Sequence, residues 1–176
     1  MQTEVITLAA EVPADRWEIE ALYDLCFAPG RSALSSYRLR DGVDPIAQLC
    51  LTARDGAGIL AGAIRHWPVR VSGHPVALLG PIAVHPTRQG EGLARLLVYQ
   101  ALEIAGQQGW DRVMLVGDAP YYSKFGFQLL EEVQMPPPTN PDRVLGIAVQ
   151  GDGWQGIRGL VSVWLDRIPP KITLVM

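Results

Sequence analysis

The chain has 176 residues, a length typical of one domain with a sizeable core. Hydrophobic residues make up 48% and charged residues 19%, which excludes disordered, collagen-like and coiled-coil proteins. Fifteen basic and 18 acidic side chains give a formal net charge of −3, so the overall charge predicts neither a nucleic-acid partner nor an acidic membrane surface. We expect residues 1–176 to form a single domain, with 132–176 as its C-terminal strand and tail.

Cysteine content and the N-terminal sequence point to a cytoplasmic protein without a metal site. Cys26 and Cys50 are too few for a disulfide framework, and their spacing does not fit a zinc site. The N-terminus carries early acidic residues and lacks the apolar segment of a signal peptide. The longest stretch without a charged side chain, Val71–Thr87, contains His, Pro and Gly and does not resemble a membrane-spanning helix.

The sequence pattern in the first third of the chain predicts a strand followed by a helix. Glu4–Ala9 has the pattern of a short strand. Ala14–Phe27 is expected to be helical, because apolar residues recur at helical spacing. These residues are Trp17, Ala21, Leu22, Leu25 and Cys26. A weaker helix or a loop is expected over Ala33–Leu39.

Three consecutive antiparallel strands are predicted next, over Ile46–Ala53, Ile59–Val69 and Val76–Val84. Arg54–Gly58 has the composition of a hairpin turn between the first two strands. The third strand contains Gly80-Pro81, and proline cannot donate to a strand ladder. We therefore expect a bulge or a splayed strand at this point.

The second half predicts a crossover connection between parallel strands. A loop at His85–Glu91 leads into an amphipathic helix that begins at Leu93 and ends near Gly106–Gly109. Asp111–Gly117 follows as a buried strand, and a strand, helix, strand sequence of this length favours a right-handed parallel crossover. The remaining predictions are a short helix at Pro120–Lys124, a strand from Gly126-Phe127, a rigid proline loop and a final strand at Val144–Gln150.

The pattern of Trp154–Leu165 predicts no definite secondary structure. Its apolar residues are expected either to form a homodimer face or to pack in the core. They are Trp154, Ile157, Leu160 and Trp164.

A glycine-containing loop opens the central helix. Helix N-termini carry unpaired N–H groups and a partial positive charge, and Gly90 and Gly92 would let a phosphate approach the main chain. The two glycines could also simply form the turn. A dinucleotide fingerprint would need a third glycine where Arg95 stands, and the Gly-Lys-Ser/Thr of a P-loop is absent. Glu91 is expected to point to solvent, because its carboxylate would repel a phosphate.

Two linked motifs in this region resemble the GNAT acyltransferase superfamily. Residues 82–94, IAVHPTRQGEGLA, are similar to its acetyl-CoA motif, Gln/Arg-x-x-Gly-x-Gly/Ala after a strand, with Gln89, Gly92 and Ala94 at the fixed positions. Residues 121–127, YYSKFGF, resemble its aromatic-Tyr-x-Lys-x-Gly-Phe segment. Together these motifs lie within about a third of the chain.

This resemblance implies an α/β (α+β) fold with a mixed, mostly antiparallel sheet that is splayed at its middle and flanked by helices. It implies an acetyl-CoA-dependent N-acetyltransferase acting on a primary amine of a small molecule or peptide. Ile82 and Val84 would offer main-chain groups to the pantetheine arm, and Gln89–Ala94 would bind the pyrophosphate. The implied cofactor-binding residues are Ile82, Ala83, Val84, Gln89, Gly90, Glu91, Gly92, Leu93, Ala94 and Arg95.

Tyr122 would lie near the sulfur of the thioester and act as the general acid. A phenol, with a reference pKa of about 10, is protonated at neutral pH and can donate to a departing thiolate. The alternative is that the Tyr122 ring packs on the helix, with its hydroxyl in a structural hydrogen bond. Tyr121 is expected to serve in packing.

The sequence also departs from the family pattern. The Asn-x-x-Ala element that many members carry before the tyrosine is replaced by the shorter Gly117–Pro120, a form similar to one branch of predicted bacterial N-acetyltransferases. A general base is missing from the expected strand. Water draining the proton to bulk, Asp118 and His66 remain open as alternatives, and capping of the short helix is the commonest role for an aspartate such as Asp118.

The missing base leaves a second hypothesis open, a CoA-binding regulatory module without turnover. The acceptor amine is not specified by these motifs. We expect its specificity to come from Phe27–Tyr37, from the hairpin after Arg65 and from the proline-rich loop, because loops carry such variation.

Overall fold

The computed structural model describes residues 4–27 and 30–164, except for the side chain of residue 33. The end of the predicted C-terminal tail, residues 165–176, lies outside this part of the chain.

Strands and α-helices alternate in the order that the sequence predicts, with additional short elements. The strands are β1 (Thr7–Ala10), β2 (Leu51–Arg54), β3 (Leu60–Val71), β4 (His74–Val84), β5 (Arg112–Val116), β6 (Gln128–Leu129), β7 (Val133–Gln134), β8 (Val144–Ala148) and β9 (Gly159–Val163). The helices are α1 (Arg16–Cys26), α2 (Ser35–Arg38), α3 (Leu93–Gln107) and α4 (Ala119–Tyr122). Short 3₁₀ turns lie at Pro13–Asp15, Arg31–Ala33, Ala47–Leu49, Pro86–Arg88, Ser123–Phe125 and Pro141–Arg143.

The sheet is mixed and mostly antiparallel, which confirms the predicted fold class. Its strand order is β1-β2-β3-β4-β5-β8-β6, and β9 pairs with the far end of β3 and with β7. Within the described residues, the β4–β5 and β7–β9 pairs are parallel and the other pairs are antiparallel. Helix α3 makes the crossover from β4 to β5 that the sequence predicts.

Local turn chemistry explains the two hairpins that build the sheet centre. The Asp55 carboxylate accepts hydrogen bonds from the N–H groups of Ala57 and Ile59, both at 2.9 Å, and so closes the β2–β3 turn. Ser72 and Gly73 join β3 to β4 with positive φ angles of 47° and 81°, the backbone that a two-residue hairpin requires.

Helices α1 and α3 pack on opposite faces of the sheet. Neighbouring residues of β3 separate the two sides, because Ala63 lies in the cluster under α1 and Ile64 in the cluster under α3. On the same face as α1, a third hydrophobic cluster extends the core. Residues of the segment 130–163 pack over it, and Met135 and Val161 are among its buried members. A ligand between α1 and this covering segment is therefore on the side of the sheet away from α3.

Two element boundaries and the buried face of α1 differ from the sequence prediction. The segment before β2 is a 3₁₀ turn, Ala47–Leu49, with Leu49 buried, rather than part of a strand, because a short apolar run fits either structure. The predicted strand from Gly126-Phe127 shortens to β6. The buried face of α1 consists of Ile19, Leu22 and Tyr23, whereas Trp17 of the predicted stripe is 83% exposed.

The C-terminal tail is also more regular than its pattern indicates. It contains β9, so Val144–Gln150 is not the final strand. Trp154 and Ile157 pack against the core, and Trp164 stacks edge-on with Trp110. Leu160, 58% exposed, is the one member of the candidate dimer face that stays open to solvent. Core packing thus accounts for most of these apolar side chains.

None of the helices in the described part of the chain is both long enough and apolar enough to span a membrane.

His66 is a buried titratable group in the sheet centre. Its Nδ1 lies 2.7 Å from the carbonyl oxygen of Leu49, to which it can donate, and its Nε2 has no hydrogen-bond partner. Burial lowers the pKa of His66 to about 4, since charging the ring would place a cation in the core. His66 is therefore neutral at physiological pH and is sealed from any substrate.

Acidification should destabilise the protein through His66. The unfolded chain binds a proton near pH 6.5 and the folded chain only near pH 4, so the stability that His66 provides is lost as pH falls across this window. His66→Asn should reduce the pH 7 to pH 4 loss in the free energy of unfolding by about 1–3 kcal/mol, measured by urea denaturation at several pH values. The exposed His74 supplies the control, and an equal effect of His74→Asn would contradict the assignment.

Candidate active site

The central strands separate at one end of the sheet. β4 pairs with β5 only at Ala77 and Leu78, although β4 continues to Val84 and β5 to Val116. Along the same stretch β4 remains paired with β3. One edge of β4 beyond Leu78 therefore faces a gap in the sheet, which we call the slot. The predicted splay is confirmed.

Gly80 and Pro81 form the bulge at the entrance of the slot. The ladder between β3 and β4 pairs Ile64 with Ile82 and then His66 with Leu79, so that two residues of β4 oppose one of β3. Gly80 has a φ of 142°. Trp67 donates to the Gly80 carbonyl at 2.9 Å and the Tyr23 hydroxyl donates to that of Pro81 at 3.2 Å. Both hydrogen bonds fix the bulged backbone from the α1 face.

Main-chain groups of Ile82 and Val84 point into the slot. The N–H of His85 donates to Ala61 at 2.8 Å, which places residues 83 and 85 in the positions that bond to β3. Alternation then directs the main-chain groups of residues 82 and 84 to the opposite edge. The Val84 carbonyl is engaged by Cys26 and Gln89, so Ile82 offers both of its groups and Val84 its N–H. Ala83 instead packs under α1.

The glycine loop and the start of α3 line a cavity of about 610 Å³ that adjoins the slot at Val84. Gly92 is the N-cap of α3 with a φ of 82°, and no side chain caps the helix. A side chain placed on Gly90 or Gly92 would meet nothing within 4 Å, so the approach to the first turn is open. The unpaired N–H groups of that turn are suited to bind an anion. The predicted residues that line the cavity are Val84, Gln89, Gly90, Gly92, Leu93, Ala94 and Arg95.

Charged side chains around this cavity leave the helix N-terminus open. Glu91 is exposed, forms an ion pair with Arg88 at 2.9 Å and does not line the cavity, in agreement with the expectation that it points to solvent. Arg95 lies over the Tyr99 ring, and Lys124 lies over the Tyr121 ring. Both cations border the cavity. An acidic, multiply charged ligand would therefore meet backbone donors and two nearby positive charges.

Tyr122 lies on the β5 side of the slot. Its half-buried ring packs on Phe127 and over Gly117, where the chain leaves β5. Within the described residues, no group accepts a hydrogen bond from its hydroxyl. Burial, followed by the influence of Tyr121, raises the pKa of Tyr122 to about 12. The phenol thus stays protonated at neutral pH and its proton is available to a ligand.

The slot is a passage of about 140 Å³ through the sheet. Tyr122 and Ile82 line it near the α3 face, and Phe27, Tyr37 and Arg40 line it near the α1 face. It opens there into a second cavity of about 580 Å³ beneath α1 and the residue 30–41 loop. Two ligands can therefore approach the same atoms of the slot from opposite faces of the sheet.

An ion-pair network borders the second cavity. Glu20 accepts hydrogen bonds from Arg31 at 2.7 Å and from Arg65 at 2.6 Å. Burial acts to raise the pKa of Glu20, but these two hydrogen bonds outweigh it and hold the pKa below its usual value. Glu20 is ionised, with both oxygens engaged, so it is a poor proton acceptor.

Neither His66 nor Asp118, the candidate bases from the sequence, lines the slot. His66 is sealed in the core. Asp118 caps α4 by accepting from the Tyr121 N–H at 3.2 Å, the commonest role for an aspartate at that position. Among the described residues, no group of three or more His, Cys, Asp or Glu side chains is placed to hold a metal ion.

Several lining residues were not singled out by the sequence motifs. Glu20, Arg40 and Trp67 lie far apart in the chain, and folding brings them together only because α1 and β3 share a face of the sheet. Two of the three expected specificity regions, Phe27–Tyr37 and the hairpin after Arg65, contribute residues to the second cavity, whereas the proline-rich loop does not line it. Arg40 lies three residues beyond the first of them.

Comparison with known proteins decides the family. The chain matches the family model described as the acetyltransferase (GNAT) family over residues 16–127. It belongs to the GNAT acetyltransferase family. Both sequence motifs and the slot lie within or at the edge of this match.

Relatives within the GNAT family extend the likeness to nearly the whole chain. The N-acetyltransferase YhbS of Escherichia coli K12, itself uncharacterised, is 36% identical over 124 residues, 69% of this chain and 73% of its own. The crystal structure of E. coli YhbS in complex with CoA superposes with a TM-score of 0.80 and 30% identity, covering 93% of this chain and 92% of that one. The crystal structure of a GNAT family acetyltransferase from Brucella melitensis in complex with acetyl-CoA superposes with a TM-score of 0.68 and 26% identity, covering 90% of this chain and 95% of that one.

The packing of Tyr122 on Gly117 can be tested by adding one methyl group. A Cβ at Gly117 would lie 2.5 Å from the Tyr122 ring and 2.9 Å from Leu115, so Gly117→Ala must displace the ring. The free energy of unfolding should fall by about 1–3 kcal/mol, with a changed near-ultraviolet circular dichroism of the tyrosines. At Gly56 an added Cβ meets nothing within 4 Å, so Gly56→Ala should change stability by less than about 0.5 kcal/mol. Equal effects of the two substitutions would refute the contact.

Proposed function

We propose that this GNAT protein transfers the acetyl group of acetyl-CoA to a primary amine of a small molecule or peptide. The observation that carries the proposal is the slot, where unpaired main-chain groups of β4 and the Tyr122 hydroxyl lie between two cavities on opposite faces. The relatives whose structures contain CoA and acetyl-CoA support acetyl-CoA as the donor.

The donor fits the glycine cavity and the edge of β4. The N–H groups at the start of α3, from Gln89 to Ala94, would bind the pyrophosphate, with Arg95 nearby. The pantetheine arm would continue along β4 in the manner of an added strand, exchanging hydrogen bonds with Ile82 and Val84. The residues present thus match a long ligand that has phosphates at one end and amides along its length.

The chemical step is direct attack on the thioester. The amine nitrogen bonds to the carbonyl carbon while a main-chain N–H of β4 stabilises the developing negative charge on the carbonyl oxygen. The C–S bond then breaks, and Tyr122 donates its proton to the thiolate, giving the amide and free CoA. The proton that the amine loses passes to water through the open second cavity, since Glu20 is engaged by two arginines, and a proton from water restores Tyr122.

The tyrosine supplies a kinetic test of this step. Tyr122→Phe should lower kcat about 10²-fold, because the thiolate would leave without its acid, while the affinity for acetyl-CoA stays within about twofold. Free thiol release measures turnover, and calorimetric titration measures binding. Tyr121→Phe provides the comparison and should cost far less, since the Tyr121 ring lies outside the slot. An unchanged kcat in Tyr122→Phe would contradict the assignment of Tyr122 as the general acid.

The glycine loop can be tested with a matched pair of glycines. Gly92 and Gly73 have φ angles of 82° and 81°, and an added Cβ meets nothing within 4 Å at either. Alanine at either position should cost about 1–2 kcal/mol in stability, because both backbones are left-handed. Only Gly92→Ala should also weaken acetyl-CoA binding, by about tenfold, as its methyl group enters the anion site. Equal acetyl-CoA affinities in the two variants, or ATP displacing acetyl-CoA, would contradict the site.

The same assays separate this proposal from a CoA-binding module. Acetyl-CoA binding without amine-dependent thiol release would identify the module.

We further propose that residues 1–176 act as one domain and work in the cytoplasm. The two cysteines, free in the structure, support a reducing compartment. A homodimer stays a prediction from the sequence.

A further inference from the structure

Arg40 is a largely but not fully buried cation at the boundary between the slot and the second cavity. Its guanidinium carbon lies 3.9 Å from the centre of the Tyr37 ring and 5.1 Å from that of Trp67. Nη2 lies 3.5 Å from the point where a Gly80 Cβ would be. Nε is buried and has no hydrogen-bond partner. Arg40 is thus held by two aromatic rings against the bulge of β4.

Two neighbouring arginines have carboxylate partners, whereas Arg40 has none among the described residues. Arg31 has carboxylate partners in Glu20 and Asp24, and Arg65 has them in Glu11 and Glu20. No carboxylate of the described residues lies within 4.0 Å of the Arg40 side chain. Burial lowers the pKa of Arg40, and the nearby Tyr37 and Tyr23, which act to raise it, do not outweigh burial.

A buried guanidinium without an anion is costly, and the aromatic rings offset only part of that cost. Arg40 lines the 580 Å³ cavity as well as the slot that contains Tyr122. An anion bound to Arg40 would therefore belong to the ligand that enters from the α1 face, the acceptor. The planar fork of arginine matches the two oxygens of a carboxylate.

The charge balance favours a single negative charge. A phosphate carries close to two charges at neutral pH and three acceptor oxygens, and it is commonly held by more than one cation. Glu20 already engages Arg31 and Arg65, and the exposed Arg38 lines the second cavity but not the slot. Among the described residues, Arg40 is therefore the cation at the slot that has no carboxylate partner. One free arginine with aromatic walls suits a carboxylate better than a phosphate.

We propose that the acceptor is an amine that also carries a carboxylate, and that Arg40 binds this carboxylate and so orients the amine toward the thioester. This inference rests on the proposed acetyl transfer. Arg40 would act as a specificity-determining residue that contacts the acceptor and leaves the donor site untouched.

The test compares amines that differ only in the carboxylate. Glycine, β-alanine, 4-aminobutyrate and lysine are each paired with the corresponding carboxamide, and O-phosphoethanolamine is included. Thiol release is measured with acetyl-CoA, and kcat/KM is expressed per neutral amine. We expect the preferred carboxylate to exceed its amide by about tenfold or more in kcat/KM, since a charge-assisted bidentate contact is lost in the amide.

Variants assign the preference to Arg40. Arg40→Met should reduce the carboxylate preference to within about twofold while KM for acetyl-CoA stays unchanged, and Arg40→Lys should retain part of it. The exposed Arg158 provides the matched control, and Arg158→Met should keep the full preference. Thermal unfolding confirms that the variants are folded. Amides used as well as carboxylates, a full preference that survives in folded Arg40→Met, or a stronger preference for O-phosphoethanolamine would each overturn the proposal.

A binding assay separates this inference from the proposed function. N-acetyl-β-alanine and its amide are titrated into the CoA complex of the wild type and of Arg40→Met. Arg40-dependent binding of the carboxylate in the absence of any turnover would support the carboxylate site and refute acetyl transfer. Turnover of neutral amines with no Arg40-dependent carboxylate binding would support acetyl transfer and overturn the carboxylate site.

Discussion

The parting of β4 from β5 after Leu78 is the constraint on which the rest of the site depends. A strand in the middle of a sheet normally has both edges paired, and leaving one edge unpaired would be costly if nothing else met its main-chain groups. The bulge at Gly80 and Pro81 directs the strand away, and hydrogen bonds from Tyr23 and Trp67 hold the bulged backbone. The proposed donor would take the place of the missing neighbour strand. The separation of β4 from β5 therefore both shapes the sheet and leaves main-chain groups that the proposed donor would bind.

The strands, the helices and the glycine loop that opens α3 were largely predictable because their signals are local. Gly80-Pro81 marks a bulge through the chemistry of two adjacent residues, and the Gly90–Gly92 loop marks the start of α3 in the same way. The amphipathic pattern of α3 is long enough to define its buried face. Family resemblance added the connection between these signals and acetyl-CoA.

Features that depend on long-range packing were not predictable to the same degree. The pattern of α1 allows more than one apolar stripe, and only docking on Ala63 and Ala83 selects the face that contains Ile19 and Tyr23. β9 was missed because its short sequence becomes a strand only when the free end of β3 pairs with it. The surroundings of Arg40 combine residues from three separate segments, and no local spacing indicates that the nearest carboxylates are already engaged.

The slot is open from both faces of the sheet, which has a consequence for the order of events at the site. A ligand that lies along α3 and a ligand that lies under α1 use different entrances, so neither has to leave before the other arrives. Such an arrangement suits a ternary complex, in which the two reactants meet within the sheet and no acyl group needs to be stored on the protein. The two entrances nonetheless share one structural element. The Tyr23 hydroxyl of α1 donates a hydrogen bond to the bulge that sets the path of β4 toward the glycine loop.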